Sequence, residues 1–355
     1  LRGCYMKKGK KNKKKFHVSL NVRRAFLLLF SLGIMGFSVG AFILYGPWNW
    51  VRERLITTAM TTMSHQFLAT WFFDSDWISE VLAHNVTIEP DEDTNPDYIK
   101  MDQEVTEYKS KYDKEILERE EGAPYKVIEV SGTGYKGFLV AIYDPSKVKI
   151  GTTTRLGTTG QSARVIARNN DAIVAINASG FYDPDWNSNG AIPHGTVIKD
   201  GKIVYDYTDA KVGGGFVGFN EDNVLILART DKYSAINKYH LRDAIEFGPF
   251  LIVNGKPSFV KGDGGWGIAP RTAIGQREDG IVLFLVIDGR GYGGSLGCGM
   301  VELTEIMMNY GAVNAANMDG GSSSALIIRD EIINHPTAGG DNGLRNIPTA
   351  WIVTE

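Results

Sequence analysis

The sequence has little of what marks a disulfide-stabilised domain, a zinc site or a nucleic-acid-binding protein. Its 355 residues include only two cysteines, too few for a disulfide framework or a zinc ribbon. The net charge is −3, so no basic field indicates nucleic acid as a partner. The sequence has no internal repeat and no Gly-x-x-x-x-Gly-Lys-Ser/Thr loop, the pattern that would favour nucleotide binding. The 43% of hydrophobic residues excludes a fully disordered chain.

The N-terminal region has the pattern of a membrane anchor. Residues 1–24 contain ten Lys or Arg and no acidic residue, and residues 25–46 carry no charge. A membrane-spanning helix needs ~20 apolar residues, and flanking positive charge stays in the cytoplasm. We therefore predict a basic cytoplasmic tail (1–24), a single transmembrane helix (25–46) and an extracellular remainder. The alternative is a cleaved signal peptide, which has an apolar region of ~7–15 residues and a small-x-small cleavage site.

The two cysteines are consistent with this topology. Cys4 would lie in the cytoplasm and Cys298 outside, so the two thiols could not pair. An exported domain without a disulfide is typical of a bacterium without periplasmic oxidation. The predicted location is therefore the cell membrane of a Gram-positive-like bacterium.

Residues 47–122 are predicted to form an extracellular helical and acidic stalk. Residues 49–80 have helical apolar spacing, and we expect this helix to pack on the following domain. The alternatives are contact with the membrane surface or with a partner helix. Residues 85–122 contain 13 acidic and 5 basic residues, which is typical of a solvated spacer.

Residues 123–355 are predicted to form a strand-rich α+β domain with a few packed helices. Helix patterns occur at 159–170 and 299–310. Short β-branched runs predict strands at 125–130, 138–143, 172–177, 195–198, 202–205, 223–228, 249–253, 271–276, 281–287, 313–318 and 349–354.

Polar residues lie where several of these predicted strands begin or end, in glycine-rich turns. Of the 41 glycines, 20 lie between Gly248 and Gly343. Polar groups held at strand ends by a rigid sheet are a common way to build a site. The polar and glycine residues at these ends are Asn177, Gly180, Arg271, Asp288, Arg290, Asn317, Asp319, Gly320, Gly321, Ser322 and Ser323.

Five segments resemble the phosphodiester glycosidase family in order and spacing. They read NASGFYD, PRTAIG, IDGRG, NMDGGSSS and LRNIPTAWIV, and the resemblance covers roughly residues 125–355. It implies a hydrolase that cleaves the bond between C1 of a sugar and a phosphate oxygen, without a required cofactor. The N-terminal anchor and stalk lie outside the resemblance, so the identity of the sugar does not follow from it.

The resemblance implies a division of roles among the candidate residues. A guanidinium meets phosphate oxygens in a fork, so we expect Arg271 to bind the departing phosphate. Asp319 and Asp288 are the candidates for activating water or attacking C1, and retention or inversion of configuration is left open. His194 and Glu246 are further candidates for proton transfer.

The remaining candidates are expected to bind substrate. Amides and hydroxyls can hydrogen-bond sugar or phosphate oxygens, and the backbone N–H groups of the glycine pair could form a small anion nest; a tight turn is the alternative for that pair. The predicted substrate-binding residues are Asn177, Gly180, Arg290, Asn317, Gly320, Gly321, Ser322 and Ser323.

A calcium site is a separate hypothesis. Asp185, Asn187 and Asn189 fit the opening of a D-x-N-x-N-G loop, and Asp183 could add a ligand. The position of the bidentate acid is occupied by Thr196, which does not fit the pattern. A polar turn explains the same residues.

Two other classes of function remain open. One is a non-catalytic module that binds a wall polymer or exopolysaccharide through its glycine-rich loops. The other is a partner protein of the envelope machinery that acts through the 49–80 helix. As an enzyme, the chain is expected to act on phosphate-containing glycans of a bacterial envelope, such as teichoic-acid-type polymers, while its oligomeric state is not indicated.

Overall fold

A computed structural model describes residues 22–62, 65–101, 107–183, 188–206 and 214–355. The chain divides into two compact units, the first ending at Arg52 and the second running from Glu53 to Glu355.

The first unit contains one long apolar helix, α1, which spans Val22–Tyr45. Its segment Arg24–Tyr45 has a mean hydropathy of 2.3 and is long enough to cross a membrane. A signal sequence near an N-terminus can also contain an apolar helix, although its apolar region is usually shorter.

In the described part of the chain seven further α-helices follow α1. They are α2 (Asn49–Thr61), α3 (Phe67–Thr70), α4 (Ser75–His84), α5 (Lys111–Leu117), α6 (Ala163–Asn169), α7 (Lys232–Asn237) and α8 (Met300–Asn309).

The described strands number nineteen, and every strand pair is antiparallel. They are β1 (Val86–Ile88), β2 (Tyr125–Gly132), β3 (Tyr135–Ile142), β4 (Val148–Thr152), β5 (Ala172–Asn177), β6 (Val197–Lys199), β7 (Lys202–Tyr205), β8 (Gly215–Asn220), β9 (Leu225–Ala228), β10 (Leu241–Phe247), β11 (Phe250–Val253), β12 (Lys256–Pro257), β13 (Phe259–Lys261), β14 (Arg271–Arg277), β15 (Val282–Ile287), β16 (Ala312–Asn317), β17 (Leu326–Ile328), β18 (Glu331–Ile332) and β19 (Thr349–Thr354).

Three sheets form the body of the second unit. Sheet A has the strand order β12-β11-β16-β14-β15-β3-β2, sheet B the order β18-β17-β5-β19-β4, and sheet C the order β7-β6-β10-β8-β9. The largest apolar cluster contains side chains from all three sheets, including Phe284, Trp351 and Phe219. The sheets therefore enclose one common core.

Helices cover the outer faces of two sheets. The second face of sheet A packs under α8 and α5, with Leu303 and Ile116 fully buried. The second face of sheet B packs under α6, with Ile166 fully buried. Strands such as β15 are buried along their whole length, which accounts for their uninterrupted apolar sequence.

The predicted α+β fold class is confirmed, with different boundaries at two helices. The helix predicted at 159–170 begins at Ala163, because the Ser162 hydroxyl caps the Val165 amide. The single helix predicted over 49–80 is wrong, since α2, α3 and α4 replace it. The carboxylate of Asp74 caps α4.

The solvated spacer predicted at 85–122 is also wrong for the described residues of that segment. Strand β1 pairs with β13, and the Thr94 amide donates to the carbonyl of Leu227 in sheet C at 2.9 Å. Helix α5 buries Ile116 completely. The sequence pattern did not indicate these contacts, because the few apolar residues of the segment lie among many charged residues.

The sheet register brings several strand ends together at one end of the second unit. Arg271 pairs with Ile287 at the start of β14, and Ala273 pairs with Asn317 at the end of β16. Because antiparallel neighbours alternate direction, the residues after β15 and β16 lie beside the start of β14. The end of β5 joins this group of strand ends through the hydrogen bond from the Asn177 side-chain amide to the Asp319 carbonyl.

Candidate active site

A cleft of about 1160 Å³ opens at this end of the sheets. It is lined by loops that follow β5 and β16, by the loop before β14, and by the end of α2. The lining includes Thr61, Thr62, Gln161, Gly180, Phe181, Asp183, His194, Trp266, Arg271, Arg290, Asp319, Gly320, Gly321, Ser322, Ser323, Gly339 and Arg345.

Asp319 lies two residues beyond β16 and its backbone is fixed from both sides. Its amide donates to the carbonyl of Ala178 at 3.1 Å, and its carbonyl accepts from the side-chain amide of Asn177 at 2.6 Å. Burial raises the pKa of the Asp319 carboxyl to about 6, although the Ser323 hydroxyl and the Arg345 charge act in the opposite direction. A carboxyl with this pKa can both accept and release a proton near neutral pH.

Three arginines approach the turn that follows Asp319, each at a successive residue. A Cβ at Gly320 would lie 3.4 Å from Nη1 of Arg271, and one at Gly321 would lie 3.1 Å from Nη2 of Arg290. Nη1 of Arg345 donates to the Ser322 hydroxyl at 3.2 Å. The three guanidinium groups therefore concentrate positive charge on one wall of the cleft, beside Asp319.

Arg271 is buried and is held by carbonyl groups. Its Nε donates to the carbonyl of Cys298 at 3.2 Å, and its Nη2 donates to the carbonyls of Trp266 and Gly267. No carboxylate of the described residues lies within ion-pair distance of this guanidinium. Burial lowers the pKa of Arg271 from its ordinary value. An anion in the cleft would supply the missing negative charge.

Arg345 and Asp183 form an ion pair on the same lining. Nη2 of Arg345 lies 2.6 Å from the Asp183 carboxylate, and the guanidinium stacks 4.5 Å from the ring centre of Phe181. This pair fixes the position of Arg345, and it places a second carboxylate in the cleft.

His194 and Gly180 line another part of the cleft wall. The His194 amide donates to the Gly180 carbonyl at 2.9 Å, and burial lowers the pKa of the imidazole. The ring is therefore neutral at pH 7. Glu246 lies behind this wall, where its carboxylate accepts from the Thr196 amide; it is not among the cleft-lining residues.

Asp288 lies outside the cleft lining, although it follows β15 as expected. One carboxylate oxygen accepts from the His335 amide at 2.7 Å, and the other lies 2.9 Å from Nδ1 of His335. The side-chain amide of Asn334 donates to the same carboxylate at 3.2 Å. Asp288 thus anchors the chain that continues to Thr337, which accepts from Arg290.

The two predicted asparagines are buried behind the cleft. The Asn177 Oδ1 accepts from the Thr272 hydroxyl at 2.8 Å and from the Ala325 amide at 3.1 Å. The side-chain amide of Asn317 donates to the Gly248 carbonyl at 3.0 Å. Both side chains join strands and loops of the fold.

At the glycine pair the structure favours the tight turn over the anion nest, the two alternatives that the sequence left open. The amide of Gly321 donates to the Pro270 carbonyl at 2.8 Å, and the Gly320 amide donates to the Asp319 carboxylate. Gly321 has a φ of +61°, a backbone conformation that favours glycine. The pair forms a tight turn that leaves room for the arginines.

Only two of the four residues of the calcium hypothesis lie in the described part of the chain. Asp185 and Asn187 lie outside the described residues. The Asp183 carboxylate is paired with Arg345, while the Asn189 side chain donates to the Thr158 carbonyl and accepts from the Ala191 amide. The two described members of the set therefore have protein partners of their own, and the calcium site stays a prediction.

The sequence analysis did not identify Arg345, Trp266 or the end of α2 as parts of the cleft. It also did not pair Asp183 with Arg345. Arg345 stands in the segment LRNIPTAWIV, but it follows no strand, which was the feature used to select site residues. Trp266 and Thr61 join the cleft only through tertiary contacts between α2 and the loop before β14.

Comparisons with known proteins identify the family and the fold of the chain. The sequence pattern of the phosphodiester glycosidase family matches residues 170–354. The SPbeta prophage-derived uncharacterized protein YomE of Bacillus subtilis (strain 168) is 31% identical over 204 residues, which are 55% of this chain and 30% of that protein. The chain therefore spans less than a third of that relative's length.

Among solved structures, the fold is similar to the zebrafish N-acetylglucosamine-1-phosphodiester alpha-N-acetylglucosaminidase catalytic domain auto-inhibited by its pro-peptide. The TM-score is 0.54 at 17% identity, and the match covers 66% of this chain and 85% of that chain. At this identity the likeness establishes the fold alone.

Proposed function

Because the chain belongs to the phosphodiester glycosidase family, we propose that it hydrolyses the bond between C1 of a sugar and a phosphate oxygen, in the cleft around Asp319. The observation that supports this most is the row of Arg271, Arg290 and Arg345 along the turn that follows Asp319. A cationic wall beside a carboxyl with a raised pKa fits an anionic leaving group and a proton transfer.

In the proposed reaction, water attacks C1 and the C1–O bond to phosphate breaks. The bonding electron pair stays on the phosphate oxygen, and a proton of the water passes to the Asp319 carboxylate. A phosphate monoester is a good leaving group, so the guanidinium groups can stabilise it without a strong general acid. Asp319 then returns its proton to solvent or to the product phosphate.

Other residues have supporting roles in this proposal. Neutral His194 presents a ring to the cleft and can bind a sugar hydroxyl. Asp183 holds Arg345 and is the second carboxylate of the cleft. Asp288 acts as a positioning residue, because its carboxylate holds the segment that leads to Thr337 and the cleft-lining Gly339.

We further propose that α1 anchors the chain in the cell membrane, with the N-terminus in the cytoplasm and the catalytic unit outside. The substrates would then be phosphate-containing glycans of the cell envelope, such as teichoic-acid-type polymers. The basic residues that precede α1 support this orientation.

The test is the release of reducing sugar by the chain of residues 1–355 in detergent or lipid. The panel contains α- and β-linked sugar-1-phosphodiesters, with an N-acetylglucosamine-1-phosphodiester among them. We expect one anomer to be hydrolysed, and Asp319→Asn to lower kcat/KM by about 10²-fold or more. The control is Asp222→Asn, the same change in an exposed turn between β8 and β9.

Two results would contradict the proposal. One is hydrolysis that Asp319→Asn leaves unchanged, which would move the chemistry away from this cleft. The other is saturable binding of the polymers without any product, which would favour the non-catalytic binding module.

A further inference from the structure

The orientation of Arg271 depends on a glycine-rich loop at 262–267. Two of the three carbonyls that accept from its guanidinium, those of Trp266 and Gly267, belong to this loop. Because hydrogen bonds weaken steeply with distance and angle, a shift of the loop would turn the guanidinium away from the cleft.

Helix α2 holds the loop through three threonine hydroxyls, one of which, that of Thr61, donates to the Trp266 carbonyl at 3.4 Å. The Thr57 hydroxyl donates to the Asp263 carboxylate, and the Ile268 amide donates to the Thr58 hydroxyl at 3.2 Å. The Thr57 hydroxyl also lies 3.0 Å from the Glu53 carbonyl of its own helix. A hydroxyl has one proton, and the bond to a charged carboxylate is the stronger of the two.

Asp263 connects the Thr57 hydroxyl to the loop backbone. Its second carboxylate oxygen accepts from the Gly265 amide at 3.0 Å, and its own amide donates to the Asn85 side chain at 3.0 Å. Asp263 is buried, so the loss of a donor would leave part of a buried charge without a partner. Such a loss is costly in a protein interior.

The helix and the loop also touch through their backbones. Gly267 has a φ of +58°, and a Cβ at this position would lie 2.5 Å from Cα of Thr58. No side chain separates the helix from the carbonyl that Arg271 uses. The loop therefore follows the position of α2 closely.

We propose that Thr57 is a positioning residue for Arg271, acting through Asp263 and the 262–267 loop. The inference rests on the proposed function, because it gives Arg271 the task of binding phosphate. Helix α2, which follows the apolar helix α1 along the chain, is then a part of the catalytic unit rather than a tether.

The test is a double-mutant cycle in the chain of residues 1–355, with Thr57→Val and Arg271→Ala. Valine keeps the shape of threonine without the hydroxyl, and Thr57→Ser is the matched control that keeps it. We expect Thr57→Val to lower kcat/KM about tenfold and Thr57→Ser to stay within about twofold. In the Arg271→Ala background Thr57→Val should have almost no further effect, because it acts through the arginine.

An undiminished effect of Thr57→Val in the Arg271→Ala background would overturn the proposal, as would equal losses for valine and serine. If the wild-type chain hydrolyses nothing, the proposed function fails, and the same cycle is measured on the Kd of inorganic phosphate by calorimetry. There we expect weaker phosphate binding for Thr57→Val and an unchanged Kd for Thr57→Ser. No phosphate binding, or a Kd that Thr57→Val leaves unchanged, would overturn the positioning role as well.

Discussion

The Asp319 carboxyl determines the pH dependence that we expect for the reaction. Burial raises its pKa to about 6, and as a general base it works only when ionised. We therefore predict that kcat/KM rises with pH through about 6 and then levels off. The measurement is the pH profile of kcat/KM for the wild-type chain, and Asp319→Asn should remove the rise from the residual activity.

The opposite slope would identify a different role. A kcat/KM that falls as pH rises through about 6 would show that the protonated carboxyl is the active form. Asp319 would then protonate the leaving oxygen, and the base would have to be sought among the other groups of the cleft, such as Asp183 or His194.

The Asp319 carboxyl should lower the free energy of unfolding at neutral pH. Its pKa rises on folding from 3.8 to about 6, so between these values the folded state binds more protons than the unfolded state. Stability therefore falls as pH rises through this window and stays lower above it. We predict that Asp319→Asn raises the free energy of unfolding at pH 7.5 by about 1–3 kcal/mol.

This gain should disappear at low pH. At pH 4 the wild-type carboxyl is protonated in the folded state and about half protonated in the unfolded state, so most of the penalty is absent. The measurement is a urea titration of both proteins at pH 7.5 and pH 4. An equal difference at both pH values would show that the substitution acts through packing and not through the charge.

At the level of elements, α5 is held to sheet A by a buried ion pair. Nη1 of Arg277 lies 3.0 Å from the Asp113 carboxylate, and the same guanidinium contacts Asp279. We predict that Asp113→Ala lowers the free energy of unfolding by about 3 kcal/mol, because it leaves a buried charge with one partner fewer. The measurement is a urea titration at pH 7.5.

The control lies on the exposed side of the same region. Glu118→Ala removes an exposed carboxylate 4.0 Å from Lys114, a kind of pair worth about 0.3–0.5 kcal/mol. Neither residue lines the cleft, so KM should not change in either variant. A loss of similar size for both variants would show that the Asp113 pair does not hold α5.

The elements also show where sequence reasoning worked. Every predicted strand has an observed counterpart, because patterns of buried β-branched residues such as Val282–Ile287 are local. Local patterns also placed Arg271 at the start of a strand and Asp319 just beyond another, while the sheet register that brings the two strand ends together is not local. Arg345 and Trp266 could not be found in this way, since nothing near them in sequence marks the contacts that place them in the cleft.

For the molecule as a whole, the segment before residue 123 is the main revision. Charge and composition predicted a spacer there, because an isolated Ile116 or Thr94 among acidic residues has no periodic pattern. Ile116 packs in the apolar cluster on sheet A, and Thr94 forms two hydrogen bonds with Leu227 of sheet C. Such contacts join residues that are far apart in the sequence, so the local composition does not indicate them.

The second unit should therefore fold as a whole from Glu53 onward. A fragment starting at Ala123 lacks the Thr57–Asp263 bond and the β1–β13 pairing, and it exposes the apolar surface that α5 covers. We predict that the fragment 53–355 unfolds in one cooperative thermal transition. The fragment 123–355 should melt at least about 10 °C lower or fail to stay soluble, because several kcal/mol of burial are lost.

Circular dichroism melts and soluble yields of the two fragments measure this difference. A third fragment that begins at Lys111 keeps α5 but lacks α2 and β1, and it should melt between the other two. Equal melting temperatures for the fragments that begin at Glu53 and Ala123 would show that the contacts before residue 123 add no stability. In that case α2 would dock too weakly to fix the 262–267 loop, and the Thr57 substitution should not affect Arg271.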